Sequence, residues 1–86
     1  MSLPRPEKHS LTLQGHRTSV SLEAPFWNVF REMAVERGLS VNALAAEIDA
    51  IRVPPASLAS AIRLCVLDWV LARASSSRTA QPPPTP

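Results

Sequence analysis

The 86-residue sequence is short of the residues from which small domains build cross-links and reactive centres. Its single cysteine, Cys65, excludes an internal disulfide. The two histidines, His9 and His16, lie in the N-terminal segment with no cysteine nearby, so no zinc-type ligand spacing exists. Glycine occurs only at positions 15 and 38, which rules out a glycine-rich phosphate loop. Tyrosine is absent, and no Ser/His/Asp arrangement has local support. Glu47 and Asp49 are two positions apart on a helical stretch and do not share a face. These gaps leave no constellation for catalysis, and no enzyme activity, metal or cofactor is expected.

Long apolar runs are also missing. The opening "MSLPRPEKHS" has no apolar core of signal-peptide length. The apolar stretch near the C-terminus is broken by Asp68 and is too short to span a bilayer. A cytoplasmic protein with no membrane role is expected, and one unpaired cysteine suits a reducing compartment. A chain this short buries a small share of its surface. With disulfide and metal set aside, oligomerisation is the remaining source of stability.

The formal net charge is only +2, but it is unevenly spread. Arg5, Lys8 and Arg17 face a single Glu7 in residues 1–22. The middle of the chain sets Arg31, Arg37, Arg52, Arg63 and Arg73 against Glu23, Glu32, Glu36, Glu47, Asp49 and Asp68. A basic arm beside a near-neutral body suits a polyanion, and equally a plain solvated surface.

Residues 1–10 read as a flexible arm. "LTLQG", residues 11–15, either extends the next strand or forms a short separate piece. "RTSVSL", residues 17–22, alternates. Thr18, Val20 and Leu22 lie on one face, and Arg17, Ser19 and Ser21 on the other. A first helix is predicted over about 25–37, with Pro25 in its first turn and Gly38 as its stop. Phe26, Trp27, Phe30 and Met33 fall at helical spacing along it. Ser40 caps a second helix over about 41–51, with Val41, Leu44, Ala45, Ile48 and Ile51 as its apolar stripe. "VPPAS" ends it. Ser57 starts a third helix over about 58–73, apolar on most sides and so expected to be buried on most sides, partly by a second subunit. Residues 74–86, ending "QPPPTP", read as a disordered tail.

The order strand, helix, tight "RGLSVN" turn, helix resembles the ribbon-helix-helix family of bacterial DNA-binding proteins, which includes the Arc and methionine repressors. The resemblance rests on "RTSVSLEAPFWNVFREMAVERGLSVNALAAEI", residues 17–48, and most of all on "GLSVNAL", residues 38–44. It looks like a bacterial branch of that family with an added C-terminal helix. The implied fold is mainly α. An N-terminal strand pairs with its twin in an intertwined homodimer, and a third helix follows over a domain spanning 11–73.

The implied function is transcriptional regulation, with the two-stranded ribbon in the major groove of double-stranded DNA. Arg17, Ser19 and Ser21 are then the base-contacting residues. The helix N-terminus at Ser40, Val41 and Asn42, with His16 beside the ribbon, is the phosphate grip. Lys8, His9 and Arg5 form an arm along the backbone. Val20, Leu22, Phe26, Trp27, Phe30, Leu44 and Ile48 make the dimer core. The third helix leaves two further openings, a tetramer or a protein partner. The competing reading is an antitoxin-like protein-interaction module whose DNA binding is weak or lost.

Overall fold

Chain reversal at Gln14-Gly15 sets the N-terminal half of the fold. In the computed structural model, which describes residues 3–79, both residues have positive φ, 50° and 83°. A two-residue loop with both φ values positive matches the right-handed twist of paired strands. It joins β1 (Pro6–Leu13) to β2 (His16–Glu23), which pair antiparallel with Leu13 opposite His16 and Pro6 opposite Glu23. The expected strand is therefore present and two residues longer. Its partner, expected to be the twin strand of a second copy, is here the preceding segment of the same chain. Residues 6–10, expected to be part of a flexible arm, are the first five residues of β1.

Three helices follow: α1 (Ala24–Glu36), α2 (Val41–Ile51) and α3 (Leu58–Thr79). Pro25 sits in the first turn of α1. Gly38, at φ 68°, ends the helix: its N–H bonds the Val35 carbonyl, and the Leu39 N–H bonds that of Ala34. Ser40 Oγ accepts the Ala43 N–H at 3.0 Å and caps α2. Ser57 Oγ accepts the Ser60 N–H at 3.1 Å at the start of α3. Helix α3 runs past residue 73 to Thr79, because no glycine or proline interrupts it there. The rest of the expected disordered tail, 80–86, lies outside the described residues.

The core is a layer between the ribbon's inner face and the helices. Leu11, Val20 and Leu22 meet Phe30, Met33 and Ala34 of α1, Leu44, Ala45 and Ile48 of α2, and Ile62 and Val66 of α3. Leu22, Phe30, Leu44 and Ile62 are fully buried. Five of the residues expected in a dimer core, Val20, Leu22, Phe30, Leu44 and Ile48, are thus buried within one chain, while Phe26 and Trp27 are half-buried beside them. His9, expected in the arm, turns inward and stacks on Trp27 with ring centroids 3.8 Å apart and planes 6° from parallel. Thr18, in the inner row opposite Leu11, remains exposed. The second apolar face of α3 is not covered: Leu64, Leu67 and Leu71 are about half or more exposed.

Candidate nucleic-acid interface

Strand alternation divides the ribbon into two rows. The inner row carries the buried Leu11, Val20 and Leu22. Beyond the Pro6–Glu23 pair at its end, the outer row holds three cross-strand pairs, Lys8 with Ser21, Ser10 with Ser19, and Thr12 with Arg17. All six residues are exposed. The outer face thus carries two cations and four hydroxyls. Arg17, Ser19 and Ser21 lie together on it, as the alternation predicts. Lys8, Ser10 and Thr12 join them from β1; the sequence reading placed Lys8 and Ser10 in a loose arm over residues 1–10 and Thr12 in "LTLQG", a strand extension or separate piece, and so put none of them on this face.

One carboxylate lies at the end of this row. Glu23 follows Ser21 by two positions and is the N-cap residue of α1, yet its side chain makes no capping bond. It is held by Arg63 of α3, with Nε donating to Oε1 at 2.9 Å and Nη2 to Oε2 at 3.1 Å. The guanidinium, with help from the Glu23 backbone, keeps this carboxyl below its ordinary pKa.

The N-terminus of α2 abuts the ribbon. Asn42 Oδ1 accepts the Thr12 N–H at 3.0 Å, which fastens the outward edge of β1 to the first turn of α2. This bond brings the α2 N-terminus beside the Thr12–Arg17 pair. Ser40 Oγ is engaged with Ala43, and the Leu44 N–H bonds the Ser40 carbonyl. The backbone N–H groups of Val41 and Asn42 precede those bonds and have no helical partner, as in any first turn. Such a terminus presents donors and a partial positive charge to an anion. Ser40, Val41 and Asn42 are therefore assembled near Arg17, although the Asn42 carbonyl oxygen is committed to the fold. His16 is not among them. It falls in the inner row and lines a cleft with Leu13, Thr18, Asp49 and Arg52.

Among the described residues, no group of three or more His, Cys, Asp or Glu side chains is placed to hold a metal ion. No helix among them is long and apolar enough to cross a membrane.

Comparison with known proteins finds no match among curated proteins or among solved structures. A family model described as the ribbon-helix-helix domain matches residues 6–70, which takes in both strands, α1, α2 and most of α3. With the match covering well over half of the chain and a two-stranded ribbon leading into paired helices, the protein belongs to the ribbon-helix-helix domain family.

Proposed function

We propose that this chain is a DNA-binding transcriptional regulator that enters the major groove with the outer face of its β1–β2 ribbon. Members of its family generally bind DNA, regulate transcription and form dimers. The observation that carries the reading is the composition of the outer face: Lys8 and Arg17 among four hydroxyls, with the nearby carboxylate neutralised. Strands about 4.8 Å apart make a ribbon narrow enough for a groove about 12 Å wide. Arg17 supplies bidentate hydrogen bonds to guanine. Ser19 and Ser21, being short and able both to donate and to accept, discriminate weakly between bases. The free N–H groups of Val41 and Asn42 take a backbone phosphate, and His16 is left out of the contact set. Two copies act together in the cytoplasm, associating through apolar surface that one chain leaves open, such as Ile51, Leu64, Leu67 and Leu71.

The same exposed stripe favours a second reading, an antitoxin-like module that binds a protein through α3. Fluorescence anisotropy on mixed genomic duplexes separates the two. Salt-sensitive binding by the wild-type chain, weakened by Arg17→Ala by about 1–3 kcal/mol on the preferred duplex, supports the regulator. Unchanged affinity and sequence preference in Arg17→Ala at moderate salt removes Arg17 from the reading role. No DNA binding even at low salt, with one stoichiometric protein partner, turns the assignment to the module.

A further inference from the structure

The third helix reaches the ribbon through one side chain. Arg63 grips both Glu23 carboxylate oxygens, and its Nη2 also donates to the Ser21 carbonyl at 3.2 Å. Its guanidinium carbon lies 5.9 Å from the centre of the Phe26 ring. With side chains 31% and 20% exposed, this is the most shielded of the four ion pairs among the described residues. The bonds join positions 40 apart in sequence.

The two side chains are committed chiefly to each other. Arg63 spends Nε and Nη2 on Glu23 and the Ser21 carbonyl, and its charge is balanced by the Glu23 carboxylate. Glu23 sits where an acidic residue would favour the start of α1, but its carboxylate makes no capping bond there. What the pair does achieve is electrostatic. Two strand residues span about 6.7 Å, so the Glu23 carboxylate lies within a Debye length of Ser21 at physiological salt, about 8 Å. A bare negative charge there would repel a polyanion lying across the ribbon.

We propose that Arg63 is a positioning residue for nucleic-acid binding: it fixes the Glu23 carboxylate in a bidentate pair and so masks its charge from a polyanion lying across the ribbon. The proposal rests on the reading of the ribbon as a DNA-binding face. It makes α3 part of the recognition apparatus, although no residue of α3 lies on that face.

The test measures DNA affinity of the full chain across a salt series for wild type, Arg63→Met, Glu23→Gln and the double variant, with a thermal melt of each. For a phosphate taken at the Ser21 distance, about 7 Å, unmasking one like charge lowers affinity about threefold at low salt, and about tenfold when two copies bind together. Arg63→Met should show this loss and should lose it as salt rises. Glu23→Gln, which removes the negative charge and frees a cation, should bind at least as tightly as wild type. The double variant should regain wild-type affinity even though, like Arg63→Met, it melts lower. A purely structural latch predicts the opposite, with all three variants losing affinity in step with stability. That result, a Glu23→Gln variant weaker than wild type, or Arg63→Met binding like wild type, would overturn the proposal. Should Arg63→Met fail to fold, Glu23→Gln alone still decides. A wild-type chain that binds no duplex at low salt refutes the DNA-binding reading itself and with it this masking role.

Discussion

Gly15 and Gly38 form a matched pair of probes for the ribbon. Both have φ in the left-handed region, +83° and +68°, and a Cβ built on either meets no heavy atom within 4 Å. Alanine at either position therefore clashes with nothing and carries only the backbone penalty of that region, about 1–2 kcal/mol. The stiffer unfolded chain offsets about 0.4–1 kcal/mol of it. A net loss of about 1 kcal/mol lowers the melting temperature of a domain this size by about 4–8 °C. Circular-dichroism melts should show this drop in both variants. Their DNA binding should diverge. Gly15 closes the ribbon two residues before Arg17, whereas Gly38 only ends α1. At a temperature where both variants are folded, Gly15→Ala should bind a duplex more weakly than Gly38→Ala. A Gly15→Ala protein that melts like wild type, beside a Gly38→Ala protein that melts low, would show that positions 14–15 do not form this turn. The strand would then need its partner from another chain.

Three further outcomes follow from the packing and the charges. Leu22 is fully buried, so Leu22→Ala should cost about 2–5 kcal/mol by chemical denaturation, while Ser19→Ala on the exposed row should stay within about 0.5 kcal/mol; equal effects would contradict the two-row ribbon. Glu23 has its carboxyl pKa lowered by Arg63, so on acidification the unfolded chain takes up that proton first. The pair's contribution is present above about pH 4.5 and is lost as pH falls through the lower folded value, and an Arg63→Met protein should lack that part of the acid limb in a stability–pH titration. Burial, with a smaller contribution from Asp68, raises the Cys65 thiol pKa above 9.0, so iodoacetamide at pH 8 should label the native protein more slowly than the urea-unfolded one; equal rates would place Cys65 in water.

The helices were legible because their punctuation is local. Pro25, Gly38, Ser40 and Ser57 each act within one turn, and each does in the structure what its residue type dictates. The alternation of residues 17–22 was equally plain. What the sequence concealed was the partner of that strand. "HSLTLQGHRTSVSL" contains two alternating runs separated by two residues, the pattern of a hairpin. The turn is Gln-Gly rather than the stronger Asn-Gly or Asp-Gly, and the first run holds only two leucines, so the signal is faint. Its consequences for the site are larger than its size. Lys8, Ser10 and Thr12 enter the outer face, while His9 leaves for the core and stacks on Trp27. Arg63 was beyond reach for a different reason. A contact across 40 positions has no periodic trace in one sequence.

The same alternation separates binding from stability. Outer-row side chains are exposed, so they can change for the sake of recognition at little cost to folding. The inner-row residues Leu11, Val20 and Leu22 are fixed by the helices beneath them. Two side chains cross this division. Asn42 ties the edge of β1 to the N-terminus of α2, and Arg63 ties the end of β2 to α3. They engage opposite edges of the ribbon, through the Thr12 N–H on one side and the Ser21 carbonyl on the other. Each therefore satisfies an outward backbone group and also sets the ribbon's height over the helix layer. A ribbon held at both edges presents its outer row as one rigid surface, with less order left to impose on binding. Losing the Asn42 tie should thus cost more affinity than the hydrogen bond alone accounts for.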